Sequence, residues 1–224
     1  VFVEPGFDPF SSWSVECEAR SLQVLPDGLI YHPYLAGPKE SRIGLQFSSE
    51  NDEGWVWDAT VGGQIGILRF GTESALRPVG IQLDVEGGAQ IRGDGMKLID
   101  LLSTDVRVGL PLTIGWGKQE TKLAFYLLRT QPNQSFSGGR PQFPDQFFER
   151  RAFVLGHSIR TMDRLRVYGE VGYAFASSLN GDWECQFGVE FAPVLPTRVT
   201  GAPFAAVNVY LLDSTTSDGT LTAQ

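Results

Sequence analysis

The segment VGIQLDVEGGAQIR, Val79–Arg92, carries two unlike faces in strict alternation. Val79, Ile81, Leu83, Val85, Ala89 and Ile91 share one parity; Gly80, Gln82, Asp84, Glu86, Gly88, Gln90 and Arg92 share the other. Side chains alternate across a strand with period two, so the segment predicts a strand with one aliphatic face and one charged, glycine-rich face. At fourteen residues it is more than twice the usual strand length of about 5–6. Such a strand suits a large barrel, and the question becomes which face points inward.

Working outward, the same pattern predicts strands at about 41–48, 56–70, 78–92, 103–115, 119–129, 151–161, 164–176, 183–192 and 203–212, with a tenth starting near Thr220. In 103–115, Thr104, Val106, Val108, Leu110, Leu112 and Ile114 oppose Ser103, Asp105, Arg107, Gly109 and Thr113. The strands at 119–129 and 151–161 are mixed. Leu98, Ile99, Leu101 and Leu102 interrupt the alternation and predict one helical turn over 97–102. Residues 1–40, broken by prolines at 5, 9, 26, 33 and 38, read as an irregular docked segment, and residues 41–224 as the barrel. Connections are mostly short at one end and longer at the other, the habit of outer-membrane barrels with short periplasmic turns. That orientation starts the N-terminal segment on the periplasmic side.

The composition admits both a soluble and a membrane barrel: 42% of the 224 residues are hydrophobic and the mean hydropathy is -0.08. No apolar run reaches the roughly 18 residues of a membrane helix, which excludes helical spans only. The net charge of -8 argues against nucleic acid as a partner. Cys17 and Cys185 are too few for a disulfide framework, and one bridge or two thiols both remain open. The chain begins VFVEPGF, without Met or a signal segment, and reads as mature or trimmed.

Alternation alone does not orient the apolar parity, since a soluble barrel or sandwich would turn it inward. Three features favour lipid outside. The charged parity mixes signs on neighbouring strands: Asp84, Glu86, Arg92, Asp105, Arg107, Arg164, Arg166, Glu170, Glu184 and Glu190 form the expected lumen-facing set. Glycines 62, 66, 80, 88, 109, 172 and 188 share that parity, which suits a crowded lumen. Trp57, Trp116, Trp183, Phe175 and Phe191 lie near strand ends, as interfacial girdles require. The expected fold is therefore all-β: an antiparallel transmembrane-type β-barrel of ten or more strands with an irregular N-terminal segment.

The segment LPDGLIYHPYLAGPKESRIGLQF (25–47) resembles the opening of the bacterial family catalogued as domain of unknown function 1207. The resemblance continues through DATVGGQIGILRFG (58–71), QLDVEGGAQIR (82–92), DLLSTDVRVGLPLTIGWGKQETKLAFY (100–126), QFGVEFAP (186–193) and GAPFAAVNVYL (201–211). It implies an outer-membrane barrel of the bacterial envelope and no particular chemistry. Two departures accompany it. Where the family carries His and Asp after the fifth strand, this chain reads LLRTQPNQSF (127–136); and it stops at LTAQ where the family would continue through further strands. The resemblance thus implies that the barrel is incomplete at this C-terminus.

Few residues suggest catalysis. His157 shares the parity of Phe153, Leu155 and Ile159, and neighbouring Ser158 points to the opposite face, so the two form no nucleophile–base pair. His32 precedes Pro33 in the docked segment and reads as a packing or capping residue more readily than a ligand. Two separated histidines and two separated cysteines lack zinc-ligand spacing. No catalytic residue, metal or cofactor is expected. The lumen carboxylates are expected to pair with Arg92, Arg107, Arg164 and Arg166, giving a plugged lumen rather than a cation pore, because unpaired buried charge is costly. Residues 50–53 form an acidic loop, solvated rather than Ca²⁺-binding, and 135–151 an outer loop over the barrel mouth. The function expected first is a non-enzymatic outer-membrane barrel, a structural or assembly component or a narrow pore. Its expected partners are outer-membrane lipid or lipopolysaccharide and other envelope proteins. An outer-membrane hydrolase acting on lipid or lipopolysaccharide, and a soluble barrel binding an apolar ligand, are the alternatives.

Overall fold

The computed structural model describes residues 20–50, 54–94, 101–132, 148–162, 164–177, 182–192, 203–213 and 218–223. Its elements are all strands: β1 (Ser21–Val24), β2 (Gly44–Glu50), β3 (Gly54–Gly71), β4 (Gly80–Asp94), β5 (Leu101–Trp116), β6 (Gln119–Pro132), β7 (Phe148–Met162), β8 (Leu165–Ser177), β9 (Trp183–Phe191), β10 (Ala205–Leu212) and β11 (Asp218–Ala223). From β3 to β11 each strand pairs antiparallel with the next, in one curled sheet that forms a half-barrel. The outer edge of β3 is shared: β2 pairs with its first half, Gly44 opposite Thr60, and β1 with its last residues, Ser21 opposite Gly71. Among the described residues β11 pairs with β10 alone.

Most strands follow the alternation. The exceptions sit at bulges. β3 carries one extra residue, Ile67, between the pairs Gly66–Asp84 and Leu68–Leu83. A bulge of this kind re-aims the side chains beyond it; here Ile67 and Leu68 both face outward and Arg69 turns inward. A second bulge at Leu102, between Arg92–Ser103 and Gly93–Leu101, absorbs the adjacent leucines. Leu101 and Leu102 thus belong to β5, where a helical turn was expected; residues 97–100 lie outside the described ones. β1 went unread because four residues beside Pro26 carry too little pattern. The two-residue turn after β5 places Gly117 at φ +61°, the positive φ that a tight hairpin needs at its first central position.

The polarity of the sheet is inverted relative to a soluble domain. Along β5, Val106, Val108, Leu110, Leu112, Ile114 and Trp116 point away from the concave face and are 38% to 50% exposed. Asp84 and Arg69 on the concave face are 0% exposed, and Glu86 is 2%. Charged groups are thus more deeply buried than leucines. The convex face carries aromatic clusters towards the long-loop end. The rings of Phe125, Phe153 and Phe175 lie 5.3 to 6.1 Å apart, and Tyr173 meets Trp183 at 5.0 Å. Phe70, Trp116, Phe191 and Phe204 are exposed near the short-turn end. Trp57 is half-buried.

Candidate functional site

Between β1 and β2 the chain leaves the edge of β3 and crosses the concave face. Residues 25–43 run out over the turn-end half, past β7 and β8 to β9, and return over the middle of the sheet. This segment is a plug, and it adds its own apolar side chains to those of the wall: Ile30, Tyr31, Tyr34 and Ala36 are buried. Tyr34 stacks on Tyr168 of β8 with ring centroids 3.8 Å apart. Its hydroxyl donates to Glu170 at 3.0 Å and lies 2.5 Å from that of Tyr31. Small residues beneath the plug make this approach possible. A Cβ on Gly156 of β7 would sit 3.0 Å from the Tyr31 hydroxyl, and one on Gly88 of β4 would sit 2.9 Å from Ser41 Oγ.

An irregular buried segment must find hydrogen-bond partners outside a ladder, and the charged wall supplies them. Arg69 donates to Gln82 Oε1 at 2.6 Å and to the carbonyls of Asp27 at 3.0 Å and Gly28 at 2.8 Å. Arg166 donates to the carbonyl of His32 at 3.0 Å, and Arg107 to that of Lys39. Glu190 accepts from the Leu35 amide at 2.6 Å, and Glu86 from Ser41 at 2.8 Å. The wall groups also pair with one another. Lys122 Nζ is 2.7 Å from Glu170, Arg107 is 3.8 Å from Glu86, and Arg166 is 3.4 Å from Glu190 and 3.7 Å from Glu120. Glu184 meets Lys39 at 3.4 Å and Arg150 at 3.5 Å.

The ten residues expected in the lumen fall into three groups. Asp84, Glu86, Arg107, Arg166, Glu170, Glu184 and Glu190 lie on the concave face, all but Asp84 in the ion pairs just given. Asp84 accepts from Gln82 at 2.5 Å and Gln64 at 3.0 Å instead. Arg92 and Asp105 lie nearer the long-loop end and are less enclosed; Arg92 binds Asp58 at 2.9 Å, and Asp105 is half-buried. Arg164 is a correction. It is exposed in the turn before β8, because that strand begins one residue later, at Leu165. The partners were also only partly foreseen: Glu120, Lys122 and Arg150 were not read as lumen residues.

The site offers charge neutralisation more than reactivity. His32 Nδ1 is 3.3 Å from Arg160, and Ser158 donates to Glu120 at 3.0 Å without a histidine between them. His157 lies on the outer face, with Nδ1 2.9 Å from Thr121 Oγ1 and its ring 6.2 Å from Trp116. Among the described residues no group of three or more His, Cys, Asp or Glu side chains is placed to hold a metal ion. Cys185 is a free thiol on the outer face, and Cys17 lies outside the described residues.

Two plug residues titrate in opposite senses. Burial, reinforced by Arg166 and Arg160, lowers His32 to about 4. Burial raises Glu40 to about 7, with Lys122 and Arg107 opposing the shift. Between pH 4 and 6.5 a released plug binds a proton at His32 that the docked plug does not, so docking weakens on acidification. Between pH 4.5 and 7 the docked plug holds a proton at Glu40 that the released one loses, so docking weakens as pH rises. The slopes oppose each other, each at most roughly 1.4 kcal/mol per pH unit. In Glu40→Gln, the protection of residues 25–43, taken relative to the intrinsic exchange rate at each pH, should fall only towards acid; in His32→Asn, only towards pH 7. Identical profiles in both variants would refute the assignment.

Searches of protein-family models, of curated proteins and of solved structures each return no match to this chain.

Proposed function

We propose that this chain forms the wall of an outer-membrane β-barrel whose lumen is closed by its own N-terminal segment, acting as a structural or assembly component of the bacterial envelope rather than an open pore. One observation carries the reading: aliphatic side chains cover the convex face while paired charges are buried on the concave one. Monomeric soluble proteins rarely expose contiguous apolar patches beyond a few hundred Å². From Val106 to Trp116 the outward apolar row of β5 extends for about 33 Å at roughly 3.3 Å per residue. With the tilt of about 35–45° usual in membrane barrels, it covers about 25 Å of thickness, the height of their apolar band. Lipid tolerates no open edge, so the reading also requires further strands against β1 and β2 on one side and β11 on the other.

Closure of the lumen is supported by the cavities. One of about 180 Å³ opens at the turn end and one of about 30 Å³ lies among Lys39, Arg107, Arg150 and Tyr210, with the plug between them.

The test is Leu110→Arg, at the middle of the β5 row. In liposomes it should cost about 2–4 kcal/mol, the penalty for a cation at the bilayer midplane, measured by equilibrium denaturant titration. A soluble barrel would tolerate the same exposed substitution within about 0.5 kcal/mol. That result, or recovery of the chain in the aqueous fraction of a detergent-free lysate, would overturn the membrane reading.

A further inference from the structure

At the turn end, the plug, β7, β8 and the end of β9 line the open cavity of about 180 Å³. Its lining is apolar at Leu35 of the plug, Leu76 of the 72–79 connection, and Met162 and Leu165 of the β7–β8 hairpin, and cationic at Arg160, Arg164 and Arg166. The carboxylate in the lining, Glu190, is already occupied by the Leu35 amide and Arg166. Glu120 lies behind, 2.9 Å from Arg160 and 3.7 Å from Arg166. Among the described residues two carboxylates therefore face three guanidiniums, and Arg164 has none of them within ion-pair distance. Lys118 adds a further cation beside them; it lies in the exposed β5–β6 turn, and its carbonyl accepts from the Arg160 amide at 2.8 Å.

We propose that this cavity binds a phospholipid by its phosphate and the adjoining glycerol backbone, with Arg160 and Arg164 on the phosphate and Leu76, Met162 and Leu165 where the acyl chains leave. Guanidinium forks match phosphate oxygens in geometry as well as charge. The volume takes a phosphate with part of the glycerol backbone, so the acyl chains must leave the cavity. The exit is available, because Leu76 is 49% and Met162 66% exposed. Both lie at the end of the sheet where Trp116 and Phe191 close the outer apolar band, the level at which interfacial aromatics meet headgroups. The choice of a lipid over free phosphate rests on the membrane reading.

The experiment uses the full chain purified in a non-ionic detergent, titrated with dioleoyl phosphatidylglycerol, with dioleoylglycerol, or with inorganic phosphate, bound ligand being counted by native mass spectrometry. Phosphatidylglycerol should bind at least tenfold more tightly than either of the others. Arg164→Ala and Leu76→Asp should each weaken it by about tenfold with the circular dichroism unchanged, and raised salt should weaken it further. Equal binding of dioleoylglycerol would reduce the site to apolar adherence and overturn the proposal. Equal binding of inorganic phosphate would make it a free-anion site and overturn the lipid assignment. Unaltered affinity in both variants would show that the lipid binds elsewhere. Because the titration needs no bilayer, its failure leaves Leu110→Arg and fractionation to judge the membrane reading separately.

Discussion

Lys122→Met is expected to destabilise the folded chain by about 3–5 kcal/mol, the usual cost of removing one partner from a buried ion pair. The Lys122 ammonium lies 2.7 Å from Glu170, with the two side chains 5% and 10% exposed. It also lies 5.1 to 5.7 Å from the ring centroids of Tyr31, Tyr34 and Tyr126. No other cation is within ion-pair distance of Glu170 among the described residues, whereas Glu86 keeps Arg107. The loss therefore falls on one stranded carboxylate, and neutralising it should repair the damage. Lys122→Met with Glu170→Gln retains an acceptor for the Tyr34 hydroxyl and should recover most of the lost stability. Equilibrium urea titrations of wild type, single and double variants decide this. A double variant as unstable as the single one would show that Lys122 acts by packing and not by charge.

The second large effect is expected from Tyr34→Ala. Truncating a fully buried aromatic costs about 3–5 kcal/mol through lost transfer energy and the cavity left behind. Here the loss includes the stack on Tyr168 and the hydroxyl contacts with Tyr31 and Glu170. It falls on a segment without ladder hydrogen bonds of its own, so local release should precede global unfolding. Cleavage within residues 25–43 by an added protease should rise by roughly a hundredfold or more, at 1.4 kcal/mol per factor of ten. In planar bilayers the variant should show discrete current steps where the wild type is silent. Tyr34→Phe keeps the stack and should fall between the two. Unchanged cleavage in Tyr34→Ala would show that the wall hydrogen bonds hold the plug by themselves.

Those contacts also explain how far the sequence could be read. Strand boundaries were legible to within a few residues because alternation survives along most of each strand. It failed at Leu102, where one added residue breaks the parity and a pattern search sees a helical turn where the ladder only bulges; the bulge at Ile67 left the strand at 56–70 legible. The inward faces of β6 and β7 were the least legible. There Glu120, Lys122, Arg150 and Ser158 alternate with Ala124, Ala152 and Val154, which are buried under the plug as well. Strands apolar on part of both faces read as mixed. A usable signal was present all the same, since Glu120, Lys122 and Tyr126 share one parity. The plug was legible as irregular but not as a lumen occupant, because residues 25–43 have no period to assign to a face. Arg164 was misplaced for the opposite reason: it shares the parity of Arg166, but the chain is still turning at that residue.

The two short strands that share the edge of β3 have a further consequence. β1 ends at Val24 and β2 begins at Gly44, so both ends of the plug are pinned to the same strand. A plug released from the wall would remain a closed loop, facing its docking surface at an effective concentration of about millimolar, as short flexible tethers impose. Opening would then be a unimolecular equilibrium, independent of protein concentration and reversible without a helper. It would resemble the flicker of a hinged valve more than the loss of a stopper.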